Sequence, residues 1–332
     1  MPARVYAPTP SNLRLLAAAL RRGELVAIPT ETVYGLAANA LDARACRRIF
    51  AAKRRPADDP LIVHVPDLHV AGRLAELNAA ARALARRFWP GPLTLVLPRK
   101  SVVPEIVTSG QPTVALRSPA HPLARRLLRL AGVPLAAPSA NVFGYVSPTT
   151  AGHVRAGLGR RIRHILDGGA CPIGVESTIV DLTEPRRLRI LRPGAIPLRA
   201  LLAELKRAGV AAGAGRKSLR RVLAPGLMEQ HYSPHTPLSV RRRLPKSVRA
   251  DSRTACLFQR QPGGRLRPNE FFFSRDGRLS EVARNLYAVL RAADGGGFDR
   301  IVIEAAPKSD DPLAVAINDR LTRAAGKRRG KV

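Results

Sequence analysis

Cysteine is scarce in this chain. Its 332 residues include three, Cys46, Cys171 and Cys256, far apart and without a C-x-x-C pair. That argues against a zinc ribbon or a redox dithiol, and an odd, sparse count fits a reducing compartment, here the cytoplasm. No run of about 18 apolar residues occurs, which excludes a membrane-spanning helix. No repeat of about 20–50 residues occurs, so a solenoid is not expected. Glycine and proline, 26 and 29 residues, stay below the roughly 25–30% that marks low-complexity chains. Acids are few as well: 24 Asp and Glu face 56 Lys and Arg, a net charge of +32. Such an excess attracts polyanions such as RNA, nucleotides or acidic membranes. The basic residues are spread along the chain, with only short clusters such as Arg241–Arg243. That spread favours solvated faces over one concentrated interface.

What is present is an ordinary globular composition, 45% apolar, at a length that suggests two domains. The N-terminus lacks the basic-then-apolar order of a secretory signal. Residues 1–22 are Arg-containing and acid-free, as in a transit peptide. However, Leu13, Leu16, Ala17 and Leu20 keep helical spacing up to Gly23 and predict a structural helix, capped by Ser11. Asp42 and Asn78 are expected to cap two further helices. Strands are expected at Leu25–Ile28, Leu61–Val65, Thr94–Leu97, Thr113–Arg117, Leu135–Ala137, His164–Leu166, Ser177–Leu182 and Arg189–Leu191. Strands outnumber helices late in this region, so a mixed α/β sheet is expected instead of a strict βαβ repeat.

Pattern fails between residues 207 and 237, which read as an interdomain linker. Its Gly213–Ser218 segment lacks the Gly-Lys dipeptide of a P-loop and has no strand before it. Beyond it, Thr254–Phe258 and Arg300–Glu304 predict strands. The stripe Leu279, Val282, Ala283, Leu286, Leu290 and the segment Leu313–Ala324 predict helices. Strand, helix, strand, helix reads as a small parallel α/β unit. The tail Lys327–Val332 reads as frayed.

The loops are rich in donors. Pro29-Thr30-Glu31-Thr32 follows a buried strand, where α/β folds place ligands. Lys53-Arg54-Arg55-Pro56 ends a helix, and Ser139-Ala140-Asn141 follows a strand. No carboxylate pair, Ser-His-Asp order or metal-ligand spacing stands out. From residue chemistry alone the chain holds an anion and a small polar ligand, and no reaction is named.

Taken in order, seven segments resemble one family. They are Pro29–Leu36, Lys53–Pro56, Pro60–His64, Trp89–Thr94, Pro138–Asn141, Gly174–Thr178 and Leu191–Gly194. The family is that of threonylcarbamoyl-AMP synthases, and His231–Pro234 and Ala316–Leu321 match its longer, two-domain branch. The resemblance implies a YrdC-like mixed twisted sheet over residues 1–206, a linker or lid over 207–237, and a smaller Rossmann-like parallel α/β domain over 238–332. It implies an ATP-dependent nucleotidyltransferase that makes threonylcarbamoyl-AMP from L-threonine, bicarbonate or CO2, and ATP with Mg2+. A partner transferase then passes the threonylcarbamoyl group to the tRNA adenosine next to the anticodon.

By the same resemblance, Lys53, Arg55, Ser139 and Asn141 form the catalytic basic-polar cluster. Thr32, His64, Arg117, Ala137 and Ser177 contact threonine, with Arg117 on its carboxylate. Arg55, Asp59, Thr113, Ser139, Ser147, Arg192 and Tyr232 contact ATP; no protein side chain is assigned to metal. Asp59 stands where the family usually has Asn, and would repel a triphosphate unless Mg2+ intervenes or only its backbone is used. Lys53 and Arg55 are expected in an exposed loop. A non-catalytic RNA-binding module of the same fold is the alternative; the spread charge predicts only weak, salt-sensitive RNA contact, and tight, salt-resistant tRNA binding would favour the module. A carbamoyl-transfer maturation enzyme would need zinc-binding cysteine pairs, and they are missing.

Overall fold

Alternation along the strands decides where a ligand could enter. In the computed structural model, which describes residues 2–184, 186–211, 213–215 and 232–326, eleven strands form one sheet. They are Arg4–Tyr6 (β1), Val26–Ile28 (β2), Gly35–Asn39 (β3), Ile62–His64 (β4), Leu93–Pro98 (β5), Thr113–Arg117 (β6), Leu135–Ala136 (β7), His164–Leu166 (β8), Thr178–Asp181 (β9), Arg187–Arg192 (β10) and Gly213–Ala214 (β11). Their order is β1-β8-β2-β3-β7-β4-β6-β5-β9-β10-β11. The sheet is mixed: β4 runs parallel to β6 and β5 to β9, while β5–β6 and β9–β10 are antiparallel.

Side chains on a strand point alternately to the two faces. Leu61, Val63, Leu93, Leu95, Leu97, Val114 and Leu116 go to the large core, which the helices Ala43–Lys53 and Ala79–Phe88 also enter with Ile49 and Leu84. The intervening residues Ile62, His64, Thr94, Val96, Ala115 and Arg117 take the other face. There Ile62, Val96, Ala115, Ile179 and Leu191 form only a small apolar floor. Polar residues therefore gather on that second face.

A second sheet is entirely parallel, with Leu238–Arg241 (β12), Thr254–Arg260 (β13), Glu270–Ser274 (β14) and Arg300–Glu304 (β15) in the order β12-β15-β13-β14. Helix Leu279–Asp294 buries Val282, Ala283, Leu286 and Leu290 of the expected stripe, with Tyr287 and Ala293 added, while Leu279 is only partly buried. Caps at Asp42 and Asn78 form as expected. The first helix differs: it starts at Pro10, and Thr9, not Ser11, accepts from the Asn12 amide. Proline at the first helical position already has the required φ, so the start moves two residues back. The first sheet also extends to β11, inside the segment read as a linker. The Arg216–Arg221 cluster, residues 224–231 with His231, and the tail 327–332 lie outside the described residues.

Candidate active site

The pocket on the polar face is lined by Thr30, Thr32, Gly35, His64, Arg117, Ala137, Ser139, Ser177, Arg192, Arg55, Glu176 and Tyr232 among others. Strand ends deliver most of them. His64 and Arg117 are register partners at the ends of β4 and β6. Ser177 precedes β9, and Arg192 closes β10. Ser139 is bridged to Gly35 at the start of β3. Sequence thus places nine of the expected residues on one wall: Thr32, Arg55, His64, Arg117, Ala137, Ser139, Ser177, Arg192 and Tyr232.

Five expected residues stand elsewhere, Asp59 among them. Lys53 is buried behind the pocket, and its Nζ donates to the carbonyls of Ser139 (2.5 Å) and Asn141 (2.6 Å). Asn141 Nδ2 donates to the carbonyls of Val142 and Tyr145, which fixes that turn. Ser147 is buried with its Oγ donating to Glu176 at 2.7 Å. Thr113 shares the face of Arg117 but lies four residues along β6, about 13 Å away at strand rise. Its buried Oγ1 has no hydrogen-bond partner among the described residues.

The expectation of an exposed loop at Lys53 and Arg55 is corrected: they are 1% and 7% exposed, and only Arg54 faces solvent. The cause is local. Arg54 takes φ 52, a left-handed turn that ends the helix and folds Arg55 inward, where its Nε donates to Asp59 O at 2.8 Å. The Asp59 carboxylate is turned onto the same guanidinium, 2.8 Å away and fully buried. Burial raises the Asp59 carboxyl above its ordinary value, with Arg55 and Lys53 opposing. Asp59 therefore meets Arg55, its counter-ion, and needs no metal between.

Acids offset two of the cations, Arg55 and Arg117. Arg117 Nη2 lies 2.6 Å from Glu31; its Nη1 donates to Thr32 Oγ1 (2.9 Å) and its Nε to Gly91 O (3.2 Å). Among the described residues, three of its five guanidinium N–H groups are used. Arg192 donates to Ser177 Oγ, which also bonds Thr94 Oγ1 at 2.7 Å. Glu31, Thr94 and Glu176 carry no role in the sequence reading. The available signal was the rarity of acids: one inside a donor-rich loop of a basic chain marks a paired cation.

Burial, and then Arg117, hold the His64 pKa well below its ordinary value, and its Nδ1 has no partner among the described residues. His64 is thus neutral in the folded chain, whereas the unfolded chain takes up a proton near pH 6.5. Its contribution to stability is present above that pH and is lost as pH falls, by up to about 1.4 kcal/mol per unit. Burial lowers His121 in the same direction and His153 to about 4. The thermal midpoint is expected to drop between pH 7 and pH 5, less steeply in His64→Gln. Equal slopes for the two chains, read by circular dichroism, would refute this account of His64.

A mixed α/β sheet with a paired-charge polar pocket on one face defines an enzyme acting on small anionic substrates. The family model described as "Telomere recombination" matches residues 18–194, and that of the threonylcarbamoyl-AMP synthase C-terminal domain matches residues 198–326. The Threonylcarbamoyl-AMP synthase of Pyrococcus abyssi is 42% identical over 330 residues, covering 97% of this chain and 96% of that one. The Bacillus subtilis enzyme of the same name is 40% identical over 331 residues, covering 94% and 92%. The structure of P. abyssi Sua5 complexed with L-threonine aligns with a TM-score of 0.85 and 39% identity over 98% of both chains. The chain belongs to the threonylcarbamoyl-AMP synthase family. Its fold, the YrdC-like mixed sheet with a smaller Rossmann-like unit, and its class, an ATP-dependent nucleotidyltransferase, follow.

Proposed function

We propose that this pocket joins L-threonine, bicarbonate or CO2, and ATP into threonylcarbamoyl-AMP and pyrophosphate. The observation that carries this reading is the convergence of Arg55, Arg117 and Arg192 with Ser139, Ser177 and neutral His64 on one cavity. The threonine amine and CO2 form a carbamate. Its oxygen attacks the α-phosphorus of ATP, the new P–O bond forms, and the bond to the β-phosphate oxygen breaks to release pyrophosphate. No covalent enzyme intermediate is needed, so the protein works by positioning and charge.

Arg117, Thr32, His64, Ala137 and Ser177 hold threonine. Lys53, through the carbonyls it grips, sets Ser139 and Asn141 beside the carbamate. Arg55 and Arg192 face the phosphates, Tyr232 closes the wall, and Thr113 and Ser147 reach the far end of the nucleotide. Asp59 acts through Arg55. Mg2+ arrives with ATP as part of the substrate.

The division into domains 1–206 and 238–332, with 207–237 between, is supported by the two separate sheets, except that β11 of the first sheet falls within 207–237. No described helix is long and apolar enough to cross a membrane, and three free, buried cysteines support a cytoplasmic setting. A tRNA-modifying transferase consumes the product, and RNA contact is weak. An exposed basic cleft with Arg48, Arg54, Arg161 and Arg163 would supply that contact.

Pyrophosphate release from ATP should require threonine and bicarbonate together, in the absence of RNA. Equal release with either omitted would sink the reading. No release at all would favour the RNA-binding module. Serine should be the poorer substrate, since a lost methyl costs about 1 kcal/mol.

A further inference from the structure

One pocket-lining group opposes the proposed ligand. Glu176 borders the cavity beside Arg192 and Tyr232, and a bare carboxylate there would repel a triphosphate. Yet both of its oxygens are engaged from behind. Oε1 accepts from Ser147 Oγ at 2.7 Å, and Oε2 accepts from Arg320 Nε at 2.9 Å. The Tyr287 hydroxyl lies 3.1 and 2.9 Å from the two oxygens.

Arg320 and Tyr287 both come from the C-terminal unit, on helices Pro312–Ala324 and Leu279–Asp294. Arg320 is 1% exposed. Its Nη1 donates to Pro193 O at 2.7 Å, and its guanidinium lies 5.6 Å from the centre of the Tyr232 ring. One guanidinium therefore grips the residue before Ser177 and the residue after Arg192. Glycines make this approach possible. A Cβ on Gly194 would lie 2.4 Å from Thr178 N, and one on Gly174 would lie 2.3 Å from Ala283 O.

We propose that Arg320 is a positioning residue for the nucleotide: it neutralises Glu176 and, through Pro193, pins the segment bearing Arg192. The C-terminal unit thereby sets the charge of the phosphate subsite. This deepens the proposed function and rests on the pocket taking ATP. The charged and titratable groups around Glu176 are Arg320 with its partner Asp319, Tyr287, Tyr232 and Arg192.

The test is ATP affinity, measured by calorimetry with a non-hydrolysable ATP analogue on full chains, together with the KM for each substrate. Arg320→Gln exposes an uncompensated carboxylate and should weaken analogue binding about tenfold or more, with the threonine KM within about twofold. Glu176→Gln removes the repelling charge and should tighten binding about threefold. The Glu176→Gln/Arg320→Gln double variant should return to within about threefold of wild type. A merely structural bolt would weaken binding in both single variants and raise both KM values; that result overturns the proposal. If Arg320→Gln fails to fold, the sign of the Glu176→Gln effect decides: tighter binding supports the proposal, and unchanged or weaker binding overturns it. A wild-type chain that binds no analogue overturns the functional reading and this proposal with it. Normal binding by both wild type and Arg320→Gln overturns the proposal alone.

Discussion

Replacing Arg117 by alanine is expected to lower kcat/KM by about 10–150-fold or more and to lower the unfolding free energy by about 3–5 kcal/mol. The stability loss comes from Glu31. Its carboxylate is 6% exposed, pairs with Arg117 at 2.6 Å, and otherwise accepts from the Ala120 amide at 3.1 Å. Removing the guanidinium leaves a buried charge with one neutral donor. Thr32 Oγ1 and Gly91 O lose their donor as well. The activity loss has a separate cause. A charge-assisted hydrogen bond to a carboxylate contributes roughly 1.5–3 kcal/mol, or about 10–150-fold in kcat/KM, before any displacement of Thr32 adds to it. The two effects separate in Glu31→Gln/Arg117→Ala, which should regain much of the stability in denaturant unfolding and none of the pyrophosphate release. A double variant with restored activity would remove Arg117 from threonine binding.

Much of this was legible in the sequence because it is local. Asp42 and Asn78 announce their helices, since a side-chain oxygen needs only the amides two or three residues ahead. The stripe from Leu279 to Leu290 fixes one buried helix face. The expected site residues cluster because most end a strand, and parallel neighbours bring their ends together. What escaped is tertiary. β3 is hidden in Gly35-Leu-Ala-Ala-Asn39, all buried but the last, so no alternation shows. β14 reads as an aromatic run, and β12 is an edge strand of mixed exposure. The counter-ions escaped for the same reason: Arg320 meets Glu176 across 144 residues, and no spacing rule reaches so far. Lys53 and Arg55 looked exposed because charge usually is. A left-handed Arg54 and two waiting carbonyls reverse that, so alanine at either position costs stability together with activity.

Tyr232→Ala should uncouple the reaction as well as slow it. Tyr232 is 1% exposed and holds φ 65, a conformation that non-glycine residues adopt rarely and that must be held by surroundings. Three contacts hold it. The ring stacks on Tyr287 at 5.8 Å, Arg320 lies 5.6 Å from its centre, and the next amide, Ser233 N, donates to Gly144 O at 2.8 Å. The side chain thus plugs the pocket between Arg55, Arg192 and the C-terminal unit. Truncating a buried aromatic to alanine costs about 3–5 kcal/mol and leaves a hole. Here the hole opens on the reaction space, so water enters. The product is a mixed anhydride of a carbamate and a phosphate, which water hydrolyses, and exclusion of water is what a closed wall supplies. Pyrophosphate marks each turnover, while intact threonylcarbamoyl-AMP marks only the turnovers that escape hydrolysis. Their ratio should stay near one in wild type and rise severalfold in Tyr232→Ala. Tyr232→Phe, which keeps the ring, should hold the ratio near one even if the lost hydroxyl weakens ATP binding. A slow Tyr232→Ala whose ratio matches wild type would assign Tyr232 to packing alone and leave the shielding of the product to other residues.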